Sequence, residues 1–200
     1  MKIVLVSGSS RANSQSLKVA KWLESQLQKL GADSEIIDLQ SVNLPLIHED
    51  IWDDIANLPV AKNVKKILES ADGFLIVTPE WNGMAAPAVK NLFSYLDYEV
   101  ANKPAYLVAV SANRGGAYPI AEMRMNSAKN SFISYIPEHL IVRGVKDVMN
   151  DTEIDSGEGD DQYIKRRELY GLKILLEYSK ALGKVRESGV LDYEKYANGM

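Results

Sequence analysis

The chain has 200 residues, a hydrophobic fraction of 46%, a charged fraction of 25% and a formal net charge of −4, the balance of a soluble globular protein with one α/β core. That charge gives no sign of nucleic-acid binding, no apolar run approaches the roughly 20 residues of a membrane helix, and Met1-Lys2 leads into a short strand rather than an export signal. The absence of cysteine excludes a disulfide framework, thiol catalysis and a cysteine metal site, and His48 and His139 lie too far apart for a zinc motif.

In chain order, residues 3–7 are a continuous apolar run, as expected of a strand buried on both faces. Leu17, Ala20, Leu23, Leu27 and Leu30 then recur at helical spacing, and Gly31 ends that helix. Residues 35–39 are a second strand, and 40–58 read as a long irregular connection with Pro45 and Pro59. Val60, Val64, Ile67, Leu68 and Ala71 mark a second helix, and Gly73 to Val77 a third strand. A helix from about Ala85 through Tyr95, a strand from Ala105 to Ser111, a helix over 118–135 and a short strand from His139 to Val142 follow. The last helix runs from about Asp161 to Arg186, with Leu169, Leu172, Leu176 and Leu182 on one face. Before it, residues 151–161 carry Asp151, Glu153, Asp155, Glu158, Asp160 and Asp161 with no basic residue. That reads as a solvated acidic loop with favourable charge at a helix start, since an EF-hand's spacing and final Glu are missing.

Strand and helix alternate throughout, which predicts a mostly parallel sheet with helices on both faces. Five strands at this spacing fit the flavodoxin-like doubly wound order 2-1-3-4-5. There, ligands bind at the carboxyl ends of the strands, near the switch point between the first and third. No internal repeat or linker divides the chain. We expect one domain over residues 1–200, with an acidic loop at 151–161 and a C-terminal helix at 161–188.

Two loops leave the first and third strands. The first reads Gly8-Ser9-Ser10-Arg11-Ala12-Asn13-Ser14-Gln15-Ser16. A helix N-terminus has unpaired amide donors and a partial positive charge, and a phosphate satisfies both. Gly8 lets the chain turn out of the strand, Ser9, Ser14 and Ser16 offer hydroxyls, Gln15 an amide, and Arg11 a charged fork. This is neither a Walker loop nor a dinucleotide fingerprint, and suits a terminal monophosphate. Alone, the loop reads equally as a Ser/Asn-rich helix cap. The second loop reads Thr78-Pro79-Glu80-Trp81-Asn82-Gly83. Pro79 stiffens the exit from the strand, and Asn82-Gly83 is a turn signal. Such a turn can bring backbone amides to the edge of a flat heterocycle, with Trp81 as an aromatic face. Alone, it reads first as a tight turn with a packed tryptophan.

Together these two motifs resemble the NAD(P)H-dependent FMN reductase family, over roughly residues 1–145. The resemblance implies a flavodoxin-like fold, FMN as cofactor, NAD(P)H as hydride donor and a homodimer or homotetramer. It carries Ser9, Arg11, Ser14, Gln15 and Ser16 over as phosphate contacts, and Pro79, Glu80, Trp81, Asn82 and Gly83 as residues along the isoalloxazine ring. The aromatic of that motif is often tyrosine in the family. A third, glycine-rich loop after strand four here reads Ser111-Ala112-Asn113-Arg114-Gly115-Gly116, which places Ser111, Asn113, Gly115 and Gly116 near the cofactor.

The expected activity is hydride transfer from NAD(P)H to FMN, then electron transfer to a flavin, quinone or similar small acceptor. No side-chain acid or base is obligatory for the hydride step; positioning by Glu80, Trp81, Asn82 and Gly83 is. Arg114 reads as either a nucleotide-phosphate partner or an ordinary surface arginine. Trp52, Tyr95 and Tyr98 are candidates for the acceptor pocket or a subunit interface, with core packing the commoner reason for such aromatics. Two rivals differ in class: a flavodoxin-type electron carrier without NAD(P)H activity, and a cofactor-free interaction module. The expected compartment is the cytoplasm.

Overall fold

The computed structural model describes residues 1–48, 54, 57–126 and 129–198. Its strands are β1 (Lys2–Ser7), β2 (Asp33–Asp38), β3 (Gly73–Trp81), β4 (Met84–Ala85), β5 (Pro104–Val110) and β6 (Ser134–Val142). A parallel sheet runs in the order β2-β1-β3-β5-β6, and the two-residue β4 pairs antiparallel with the end of β3, off this path. With β4 set aside, the observed order is the expected 2-1-3-4-5.

Strand side chains alternate between two layers. Ile3, Leu5, Leu75, Val77, Tyr106 and Val108 face helices α1 (Gln15–Lys29) and α6 (Asp160–Glu187). Val4, Val6, Phe74, Ile76, Leu107 and Ala109 face α3 (Pro59–Glu69), α4 (Pro87–Ser94) and α5 (Ala117–Met125). Each such side chain contributes about 1.5–3 kcal/mol when fully buried. Leu39–Val42 forms a short helix, α2, at the start of the stretch expected to be irregular. Among the described residues no helix is long and apolar enough to cross a membrane.

Several expected boundaries move. Strand β3 continues past Val77 to Trp81: Pro79 opposes Val110 at the last β3–β5 position, where a missing N–H costs little. The helix expected from Ala85 begins at Pro87, because Ala85 is paired with Glu80 and its amide donates to Glu122 Oε2 at 2.6 Å. The helix expected over 118–135 ends at Met125, where Asn126 turns to extended backbone, and it does not resume because Asn130 and Phe132 take positive φ values of 65° and 52°. Strand β6 accordingly starts at Ser134, on the edge of the sheet, where Pro137 is tolerated.

The acidic loop is exposed from Asp151 to Asp160 except at Ile154, yet two carboxylates at its ends have a partner. Lys165 on α6 has no exposed side-chain surface, and its ammonium lies 2.7 Å from Asp151 and 2.8 Å from Asp161. These carboxylates serve a buried cation of the chain itself.

Candidate functional site

The carboxyl ends of β1 and β3 open into a crevice of about 520 Å³, within the usual range of ligand sites at roughly 300–1,000 Å³. Ser9, Arg11, Ser14, Gln15, Ser16, Pro79, Glu80, Trp81 and Asn82 all line it. The two loops, far apart in sequence, are joined by neighbouring strands.

The loop after β1 is held by three contacts. Gly8 N–H donates to Val77 O at 2.8 Å, Arg11 N–H to Ser9 Oγ at 3.2 Å, and Leu17 N–H to Ser14 Oγ at 3.0 Å. Ser14 is therefore the N-cap of α1, and accepting that bond leaves its O–H free to donate. Gly8 is required for close approach rather than a reversed turn: a Cβ there would lie 2.3 Å from Val89 Cγ2.

Next to this loop, Ser16 is 1% exposed, yet its Oγ has no hydrogen-bond partner. The buried Gln15 Oε1 also lacks one. Unpaired buried polar atoms are costly. Here they sit at a helix start that carries no acidic residue in its first turn. A phosphate accepts from the Ser16 hydroxyl, from the first-turn amides and, with the Gln15 amide turned over, from its Nε2. The residues present thus fit an anionic group.

Thr78–Gly83 is a β-hairpin rather than a free loop. Glu80 pairs with Ala85 and Trp81 with Met84, so Asn82-Gly83 forms the two-residue turn. Their φ values of 50° and 74° place both in the left-handed region that such turns demand. The hairpin is fixed at its base by Thr78 Oγ1, which accepts from Ala86 N–H at 3.1 Å, and by Glu122. Glu122 is itself paired with Lys90 at 3.1 Å.

Glu80 is the acidic residue in the crevice lining, and its carboxylate turns to the third loop, where Gly116 N–H donates to Oε2. Within that loop Ser111 Oγ accepts from Asn113 N–H at 3.3 Å and Gly115 N–H at 3.1 Å. Gly83, Ser111, Asn113, Gly115 and Gly116 are not among the lining residues. The amides of Gly115 and Gly116 are spent on Ser111 and Glu80, so this loop braces the hairpin. Arg114 is exposed.

Sequence reading missed Val110, Ala112 and Val145, which complete the lining. Val110 ends β5 and Val145 follows β6, so inspecting the exit of every strand would have found them. It also missed Lys18, whose ammonium donates to Val145 O, to Val148 O at 2.8 Å and to Asn150 Oδ1 at 2.8 Å. Burial lowers the Lys18 pKa, while Asp161 and Asp147 partly restore it. Lys18 thereby ties the segment bearing Val145 to the first helix. We expect Lys18→Met to cost roughly 1.5–3 kcal/mol, the range for charge-assisted bonds. Thermal melting and flavin retention after desalting should both fall; an unchanged melt removes Lys18 from this role.

Tyr95 and Tyr98 do not line the crevice. Tyr95 is 2% exposed and its hydroxyl donates to Pro45 O at 2.7 Å, while Tyr98 stacks on Tyr193 with ring centroids 4.8 Å apart. Trp52 lies outside the described residues. A larger cavity of about 740 Å³ near Tyr98 lies at the amino ends of the strands. Its buried cation, Lys103, donates to Leu68 O, Glu69 O and Glu99 O, and Lys65 is paired with Asp97 and Glu99. Those charges serve the fold.

The chain matches known proteins in sequence and in fold. A family model described as NADPH-dependent FMN reductase matches residues 1–146. The chain is 29% identical over 147 residues to an NADPH azoreductase of Bacillus sp. (strain OY1-2), covering 72% of this chain and 78% of that one. It is 27% identical over 157 residues to an NAD(P)H-dependent FMN reductase of Schizosaccharomyces pombe, covering 73% and 78%. Among solved structures it is similar in fold to FerB, a flavoenzyme NAD(P)H:(acceptor) oxidoreductase from Paracoccus denitrificans, with a TM-score of 0.58 and 20% identity over 90% of this chain and 94% of that one.

Proposed function

This chain belongs to the NADPH-dependent FMN reductase family, and from that premise we propose that its crevice holds FMN with the phosphate at the start of α1 and the ring beside the hairpin. The chain is an NAD(P)H-dependent, FMN-bound oxidoreductase. The observation that carries the site assignment is the unpartnered Ser16 Oγ, buried at a helix start that faces a cavity of flavin size. When bound, FMN would supply the hydride and electron chemistry that links NAD(P)H to a small oxidised acceptor such as a flavin, a quinone or an azo compound.

The residues divide the work. Ser9, Ser14, Ser16 and Gln15 supply neutral donors to the phosphate, and Arg11 a charged one. Pro79 through Gly83 place a stiff backbone edge beside the ring, with Glu80 holding that edge against Gly116. Amides fixed in a hairpin stabilise negative charge on a reduced ring without reorganising. Val110, Ala112 and Val145 keep the lining partly apolar. The same reading takes residues 1–200 as one domain and the working form as a cytoplasmic homodimer or homotetramer. Its support is the family resemblance, together with the exposed Met84 and Tyr118 beside the hairpin. Sedimentation would measure the assembly directly.

The test is an anaerobic absorbance titration. FMN is added to the purified protein, the sample is desalted, and NADPH or NADH follows. Retained flavin that bleaches supports the reading and shows the preferred donor. Retained flavin that stays oxidised makes the chain an electron carrier. Arg11→Ala is expected to cost about 1.5–3 kcal/mol of FMN affinity. An unchanged dissociation constant removes Arg11 from the site.

A further inference from the structure

We propose that Trp81 is a positioning residue for Arg11, and that through this contact the ring hairpin sets how strongly the crevice prefers a phosphorylated flavin to an unphosphorylated one. The proposal rests on the FMN reading above and assigns to Trp81 a task at the other end of the ligand.

The two residues come from different loops. Arg11 lies between β1 and α1, and Trp81 at the tip of the β3–β4 hairpin. The Arg11 guanidinium carbon stands 4.8 Å from the Trp81 ring centroid. That is inside the roughly 6 Å over which a cation is held by an aromatic face, and tryptophan is the strongest such face. Arg11 is exposed. Its backbone N–H is pinned to Ser9 Oγ, and among the described residues its side chain has no hydrogen-bond or salt-bridge partner. The indole is therefore what fixes the cation.

A cation held over a ring makes no conventional hydrogen bond to it, so the five guanidinium N–H donors stay available to phosphate oxygens. The shelf is stiff because the hairpin is stiff: Trp81 pairs with Met84, and the next residue, Ala85, is anchored to Glu122. An arginine without this shelf must be ordered each time a ligand arrives, which costs affinity. That cost falls on ligands with a phosphate and spares those without one.

The experiment measures dissociation constants for FMN and riboflavin by quenching of flavin fluorescence. The proteins are wild type, Trp81→Phe, Trp81→Leu, Arg11→Met and the Trp81→Leu/Arg11→Met double variant, each checked for folding by circular dichroism. Trp81→Leu is expected to lower the FMN-over-riboflavin preference by about two- to fivefold, the range of cation–π contacts at exposed sites. Trp81→Phe should recover most of it. In the Arg11→Met background, Trp81→Leu should leave the preference unchanged. Equal weakening of FMN and riboflavin by Trp81→Leu would overturn the proposal, because Trp81 would then touch only the ring. A full Trp81→Leu effect in the Arg11→Met background would overturn it as well. Wild type that binds neither flavin would defeat the FMN reading itself, a result distinct from both. If Trp81→Leu does not fold, the Trp81→Phe and Arg11→Met ratios still decide: Arg11→Met must lose the preference and Trp81→Phe must keep it.

Discussion

Gly8→Ala is expected to lower both the stability of the chain and its affinity for FMN. The new methyl carbon would lie 2.3 Å from Val89 Cγ2 and 2.9 Å from the Val77 carbonyl oxygen. The valine can turn, but the carbonyl is part of β3 and accepts the Gly8 N–H bond at 2.8 Å. Overpacking of this kind costs about 1–3 kcal/mol. At roughly 2–4 °C per kcal/mol for a chain of this size, the melting temperature should fall by several degrees. The displacement also reaches Ser9, so FMN should bind at least several-fold more weakly. Val89→Ala opens the space that the methyl group needs. The double variant should therefore be more stable than the sum of its parts, because the two sites are in contact. An unchanged melt and an unchanged FMN dissociation constant in Gly8→Ala would show that the β1–α1 loop has slack the geometry denies it.

The second large effect concerns Glu168, which is fully buried on α6. The Tyr106 hydroxyl donates to its Oε2 at 3.2 Å, and its Oε1 has no partner. Burial pushes the Glu168 carboxyl up to about 8 from an ordinary 4.5, against the Tyr106 hydroxyl and Arg167, which pull it down. Below pH 4.5 the folded and unfolded chains both hold the proton, and Glu168 costs nothing. Between 4.5 and about 8 the unfolded chain ionises while the folded chain keeps its proton, so stability falls as pH rises. Each pH unit across that window removes about 1.4 kcal/mol, so the whole loss is on the order of 5 kcal/mol. Glu168→Gln has nothing to titrate. Urea denaturation should find it close to wild type near pH 5 and clearly more stable at pH 8. A difference that stays constant between those pH values would mean that Glu168 ionises normally in the fold.

The architecture was legible because β1, β3 and β5 are buried on both faces, and apolar runs such as Ile3-Val4-Leu5-Val6 and Phe74-Leu75-Ile76-Val77 have few other uses. The crevice was legible because Arg11, Ser16 and Trp81 follow such runs. What escaped depends on partners distant in sequence. Met125 ends α5 although Ile133 continues a plausible helical pattern, because Ile133 is needed in the core beside Phe74 and Leu107. Nothing near Glu80 in the sequence announces that its carboxylate takes the Gly116 amide. Nor does any local pattern announce that Gly115 bonds to Ser111 within its own loop. Lys165 and Glu168 stand on a helix legible only through its leucines, and both are buried. Their partners, Asp151 and Asp161 for one and Tyr106 for the other, are set by how α6 lies on the sheet.

The two layers of the sheet are completed at different points along the chain. The side covered by α3, α4 and α5 draws its buried residues from the stretch ending at Ile133. The side covered by α1 needs Leu172 and Leu175. A polypeptide leaving the ribosome amino end first can thus bury Phe74 and Leu107 while Tyr106 and Val108, on the other face of the same strand, still wait for α6, whose Glu168 takes the Tyr106 hydroxyl. In that interval this face of β5 is open to chaperones and to other nascent chains. The segment made next ties itself to α1: Val145, Val148 and Asp151 bring carbonyls to Lys18 and Trp22. The strand at the middle of the chain is covered on one face well before the other.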